Sequence, residues 1–200
     1  MPAVEIETPQ GPARAHLHLA EKPKGALVLG HGAGGGVDAP DLAAATQAAL
    51  SEGVSIALVE QPYRVAGRRS PPRPEKLDEA WTVVVEELRG SELGAGPLIV
   101  GGRSAGARVA CRTAAETGAA AVLCLAFPEH PPGKPEKSRQ AELDAVDLPT
   151  LVVQGDSDPF GRPEPGPRRE IVLVPGNHSL KKGIDRVPEA VRAWLASLTA

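Results

Sequence analysis

The sequence predicts an α/β fold: a mostly parallel sheet with helices on both faces. Two observations predict it, namely short, near-continuously apolar runs and the longer segments of helical spacing between them. Apolar runs without alternation mark strands covered on both faces, and their alternation with helices marks the crossovers of a parallel sheet. A length of 200 residues, 42% of them hydrophobic, suffices for one such domain, and 1–200 is read as a single domain without a cap.

The first two strands, 4–8 and 13–19, differ from the rest. Ala15, Leu17 and Leu19 alternate with His16 and His18, the pattern of an antiparallel edge hairpin with one wet face. The runs at 26–30 (ALVLG), 54–60 (VSIALVE), 97–101 (PLIVG), 121–125 (AVLCL), 150–154 (TLVVQ) and 170–174 (EIVLV) supply the parallel strands. A helix over 40–50 begins at Pro40 and stops before Gly53. Leu77, Trp81, Val84 and Leu88 form one apolar stripe of the next helix. Further helices are expected over 104–117, ended by Gly118, and through Val187, Val191, Trp194 and Leu198, opened by Pro188. Residues 126–149 are read as a loop with one helix over 135–146 and no inserted lid. Residues 155–169 are near the minimum for a parallel crossover, so a helix there is absent or one turn long.

Composition excludes several function classes. The net charge is −3 and the basic residues are not massed in one segment, which argues against a phosphate-neutralising nucleic-acid surface. The aromatics Tyr63, Trp81, Phe127, Phe160 and Trp194 are scattered, so no base-stacking platform is expected. No apolar run is long enough for a membrane span, and the first residues, MPAVEIETPQ, do not read as a signal peptide. Cys111 and Cys124 make no disulfide framework and read as small buried hydrophobes, so a cytoplasmic location is expected. Neither a cofactor nor a metal is expected; His16 and His18 read as a solvated strand face.

Gly102-Arg103-Ser104-Ala105-Gly106 is a G-x-S-x-G between the strand PLIVG and the helix ARVACRTAAET. Composition alone produces such a match roughly one time in nine, so its setting matters more than its letters. A serine at a sharp strand-to-helix turn is forced towards positive φ, and small residues must face each other across the turn. The turn lifts the hydroxyl clear of the sheet and aims the Ala105 N–H at a developing oxyanion. Asp156 and Asp158 follow the strand TLVVQ, and His178 follows EIVLV. Serine, aspartate and histidine thus stand in that order, each past the C-terminal end of a strand, where parallel sheets place their sites. The order is also that of α/β-hydrolases.

The chain here resembles the α/β-hydrolase superfamily over nearly its whole length, and more narrowly its small, capless, dienelactone-hydrolase-like branch. GGRSAG, PYRVAGRRSPPRPEKLDEAW (62–81), FPEHPPGKPEK (127–137) and QGDSDPFG (154–161) resemble a domain type of small bacterial hydrolases. That type is shared with a testis-expressed mammalian protein and a histone-acetyltransferase complex subunit. The resemblance implies Ser104 as nucleophile, His178 as base and an aspartate after the seventh strand as orienting acid. Family spacing after Gly155 favours Asp158 over Asp156, as does Pro159, which holds its predecessor extended. His31-Gly32-Ala33-Gly34-Gly35-Gly36 resembles the H-G-G-G-type motif of esterases, and implies Ala33 N–H as second oxyanion donor, with Gly34 next.

The expected activity is hydrolysis of a carboxylic ester, lactone or thioester, with a small-molecule substrate as partner. Two other readings stand beside it. One is a non-catalytic interaction module on a hydrolase fold, as the mammalian relative suggests. The other is a dinucleotide site, because Gly30 to Gly35 also spell G-x-G-x-x-G; against it, Pro40 opens the helix well past the last glycine. Arg64, Arg68, Arg69 and Arg73 crowd the segment after the fourth strand, and Arg103 precedes the serine. They read either as a grip for an acidic substrate, with Arg64 and Arg103 foremost, or as a solvated loop with Arg103 in a structural ion pair.

Overall fold

The structure, a computed structural model, describes residues 3–198. Its sheet has eight strands: β1 (Ala3–Ile6), β2 (Ala13–His18), β3 (Gly25–Gly30), β4 (Val54–Glu60), β5 (Leu98–Arg103), β6 (Ala121–Leu125), β7 (Thr150–Gly155) and β8 (Arg169–Val174). Their order in space is β1-β2-β4-β3-β5-β6-β7-β8. The hairpin β1–β2 joins β4 antiparallel, and every pair from β4 onwards is parallel. The sequence expectation of a mostly parallel sheet with an antiparallel edge hairpin matches this topology.

The central strands β3 to β7 are buried on both faces because each feeds two cores. Val28, Val100, Val122 and Val152 face one core; Leu27, Ile99, Leu123 and Leu151 face the other. The first core is closed by α3 (Pro74–Gly90) through Leu77, Trp81, Val84 and Leu88, and by α4 (Ala105–Thr113) through Ala107 and Ala110. The second is closed by α1 (Pro40–Ser51) through Leu42, Ala45 and Ala49, and by α6 (Arg186–Leu198) through Val187, Val191 and Trp194. With so few aromatics, the alanines let α1 and α4 lie close to the sheet. Only Trp81 and Phe127 are fully buried large rings.

Two helical expectations change. Residues 135–146 form no single helix. A 3₁₀ turn (Pro135–Lys137) is separated from a short α5 (Gln140–Asp144) by Ser138, which is extended. The Ser138 hydroxyl also accepts the Gln140 N–H at 3.1 Å, and the Arg139 N–H donates to the Glu129 carbonyl at 2.6 Å. These local and cross-loop bonds take the donors a continuous helix would use. Helix α4 stops at Thr113 rather than Thr117, and the chain leaves through turns to Gly118 at φ 62°. A short helix not foreseen from sequence, α2 (Pro62–Val65), follows β4. No helix lies between β7 and β8.

Candidate active site

Three links leave the C-terminal edge of the sheet and meet at Ser104. Ser104 has φ 52° and ψ −111°, a conformation that costs a non-glycine residue on the order of 1–3 kcal/mol. Two glycines make the turn possible. A Cβ on Gly102 would meet the Gly30 carbonyl oxygen at 2.6 Å, and one on Gly106 would meet the same oxygen at 2.4 Å. The end of β3 thus passes through the space that two side chains would fill. The Ser104 N–H donates to the Leu125 carbonyl at 2.9 Å and locks the turn to β6.

His178 Nε2 lies 2.9 Å from Ser104 Oγ, and its Nδ1 lies 2.8 Å from Asp158 Oδ2. An ionised carboxylate only accepts, so Nδ1 carries the proton and Nε2 receives the serine hydroxyl. Asp158 is buried and its oxygens are engaged: Oδ1 accepts the Phe160 N–H at 2.8 Å, and Oδ2 accepts Gln154 Nε2 at 2.9 Å. Asp156 is exposed and points elsewhere; its Oδ1 accepts the Gly176 N–H at 2.9 Å. The structure therefore brings Asp158, not Asp156, to the imidazole.

The loop after β3 stands beside the serine. Gly32 lies 3.6 Å from Ser104 Cβ, measured from where its own Cβ would be. Among the described residues, neither the Ala33 nor the Ala105 N–H donates an intramolecular backbone hydrogen bond. The loop is held from behind. His31 Nδ1 donates to the Gly32 carbonyl at 2.8 Å, and His31 Nε2 accepts the Gln61 N–H at 3.1 Å. Burial pushes the His31 pKa down, which keeps the imidazole neutral and able to accept. The Tyr63 hydroxyl donates to the Ala33 carbonyl at 2.8 Å, and burial pushes its pKa to about 12, so it stays a donor. Gly34 is exposed.

The arginines separate into two groups. Arg103 Nε lies 2.9 Å from Asp41 Oδ2, and its Nη2 donates to the His178 carbonyl at 3.0 Å. Its guanidinium is thus engaged with protein. Arg64 is half-buried; its Nη1 donates to the Arg68 carbonyl at 3.3 Å, and no carboxylate pairs with it among the described residues. Arg68, Arg69 and Arg73 are exposed. His16 pairs with Glu60 at 3.1 Å, away from the serine. Cys111 and Cys124 are buried with their sulfurs 3.6 Å apart, and the neighbouring thiol and burial push the Cys124 pKa well up.

Sequence reasoning missed several residues of the site. Phe160 stacks on the His178 ring at a centroid distance of 4.1 Å. Gln154 is fully buried at the end of β7 and holds Asp158. Asp41 anchors Arg103 from the first turn of α1. A polar residue closing an apolar strand was the available signal for Gln154; Asp41 and Phe160 left none that local pattern could read.

A family model described as an alpha/beta hydrolase domain matches residues 23–182. The chain belongs to the alpha/beta hydrolase family. Solved structures of similar fold cover this hydrolase-family chain almost end to end. An alpha/beta serine hydrolase without lid from Xanthomonas campestris shares 19% identity over 98% of this chain and 94% of its own, with a TM-score of 0.80. Est1E from Butyrivibrio proteoclasticus shares 16% over 100% and 99%, also at 0.80. A dienelactone hydrolase from Anabaena variabilis shares 16% over 98% and 96%, at 0.74. At such identities the likeness is one of fold. No curated protein matches the sequence significantly. Helix α1 begins only at Pro40, well past the glycines of the loop after β3, so no helix N-terminus stands where a pyrophosphate would need one. No helix among the described residues is long and apolar enough to cross a membrane.

Proposed function

We propose that the protein is a serine hydrolase that cleaves a carboxylic ester, lactone or thioester of a small molecule through an acyl-enzyme. One observation carries the reading: an unbroken hydrogen-bonded row from Ser104 Oγ through His178 to buried Asp158. In this reading Ser104 Oγ attacks the acyl carbon while His178 Nε2 takes the hydroxyl proton. The carbonyl π pair moves onto oxygen, which the Ala33 and Ala105 N–H groups receive. The oxyanion collapses, the bond to the leaving group breaks, and His178 returns its proton to that group. Water then repeats the sequence on the acyl-serine and frees the acid. Asp158 keeps Nδ1–H in place and faces the imidazolium when it forms. Arg64, which meets no carboxylate among the described residues and stands near the loop after β3, favours substrates that carry a carboxylate. The free thiols favour a reducing compartment, the cytoplasm.

Fluorophosphonate labelling of the wild type and of Ser104→Ala, followed by an ester panel, tests this. The wild type is expected to label and to turn over short esters. Ser104→Ala is expected to lose labelling and on the order of 10⁴–10⁶-fold in kcat. Labelling that persists in the variant removes Ser104 from its role. A wild type that neither labels nor turns over any ester points to an interaction module instead.

A further inference from the structure

His178 lies outside any strand or helix, between Gly176 at φ 116° and Leu180 at φ 53°. Leu180 is fully buried and anchors the far side of this loop. The near side has a different anchor. Arg103 is the residue before Ser104, yet its Nη2 reaches across to the His178 main-chain carbonyl at 3.0 Å. Its Nε pairs at 2.9 Å with Asp41, whose side chain is 1% exposed. Its Nη1 occupies space that a side chain on Gly32 would need, 2.8 Å from the Cβ position. One planar, rigid group therefore touches the nucleophile turn, the base loop, the loop after β3 and α1. A flexible point charge cannot span such partners in fixed directions.

We propose that Arg103, oriented by Asp41, is a positioning residue that sets the base loop against the nucleophile turn. Its value lies in geometry rather than stability. Asp41 is buried against the Arg103 guanidinium, and the cost of taking two charges out of water offsets much of their attraction. The proposal rests on the hydrolase reading for its kinetic consequences, but the geometry it describes is measurable without turnover.

The test uses Arg103→Met, Arg103→Lys, Asp41→Asn and the double variant Asp41→Asn/Arg103→Met. Five quantities are read: fluorophosphonate labelling rate, kcat and KM on a neutral ester, thermal midpoint, and the low-field proton signal of His178 Nδ1–H, identified by its loss in His178→Gln. Each single variant is expected to lower labelling and kcat about 10–100-fold with KM little changed, because a small misplacement of the base suffices. The His178 signal broadens or disappears in each. Asp41→Asn, nearly isosteric, keeps its thermal midpoint. The double variant is no slower than Arg103→Met, since both residues act as one unit. Arg103→Lys restores little, because an ammonium lacks the fork.

An Asp41→Asn variant with wild-type labelling and an unchanged His178 signal overturns the proposal. So does a change confined to KM on acidic esters, which makes Arg103 a substrate ligand, or losses that add in the double variant. Should the wild type fail to label at all, the hydrolase reading falls. The proton signal then decides the strut alone: lost in Asp41→Asn and Arg103→Met, it supports the strut; unchanged, it ends it.

Discussion

At residue scale, His31 titrates in the pH range where the protein's stability is expected to change. Its imidazole is neutral in the fold, donating from Nδ1 to Gly32 and accepting at Nε2 from Gln61. Burial, then the Arg64 charge, lowers its pKa, against the Gly32 hydrogen bond, which raises it. The unfolded chain takes a proton at its ordinary value of 6.5, before the folded chain does. The sign follows from linkage: the stabilisation is complete above that value and is lost as pH falls through the folded pKa. Protonation also turns Nε2 into a donor facing the Gln61 N–H. Chemical denaturation of the wild type from about pH 7.5 to about 5 is expected to show falling stability, and His31→Gln is expected to flatten that slope. Equal slopes in both proteins remove His31 from this role. His18, whose pKa burial also lowers, is common to both and cancels in the comparison. The residues legible from sequence were those whose chemistry coincides with a strand end: Ser104, Asp158 and His178. Their supports were not legible. Asp41 and Phe160 act on residues far along the chain, at separations where spacing carries no signal.

At element scale, β3 runs against the start of α4 with no room for a side chain between them. The Gly30 carbonyl oxygen lies within 2.6 Å of the Cβ positions of both Gly102 and Gly106, and the Gly106 position is also 2.5 Å from the Gly30 carbonyl carbon. Relief requires two main chains to part, because no flexible side chain stands between them. Gly106→Ala is therefore expected to destabilise by about 3 kcal/mol or more, as overpacking against main chain does. Gly34→Ala is the control: nothing lies within 4 Å of its Cβ position, and a change within about 0.5 kcal/mol is expected. Urea denaturation measures both, and equal midpoints would refute the packing account. The strands were legible because each parallel strand is apolar on both faces. The 135–146 helix was misread because what breaks it comes from outside the window. Glu129 accepts the Arg139 N–H, and Arg139 Nη1 donates to the Pro128 carbonyl at 3.0 Å. Residues within that span serve as ties to another loop.

At the scale of the whole molecule, the sheet delivers its site to an edge that little covers. The β6–β7 link holds only a 3₁₀ turn and α5, and the β7–β8 link holds no helix. The loop after β3 is half-exposed at Ala33 and exposed at Gly34 and Gly35. Depth is missing as well as cover. The cavity that touches Ala105 and Gly106 from the α3 side, bounded by Trp81 and Leu77, has a volume near 10 Å³. That is at most room for a single water, too little for an acyl chain to pass behind Ser104 on this side. A hollow of about 640 Å³ lies between α4 and α5 beside Arg112, Ala115, Glu142 and Ala145, and none of Ser104, Asp158 and His178 lines it. A long acyl chain bound here would leave most of its apolar surface in water and gain little from binding. With p-nitrophenyl esters of increasing chain length, kcat/KM is therefore expected to peak at acetate to butyrate. By laurate it is expected to fall about tenfold or more, since added methylenes find no wall. A kcat/KM that climbs steadily to laurate would require a covered groove that this arrangement of loops does not provide, and would overturn the picture of an open rim.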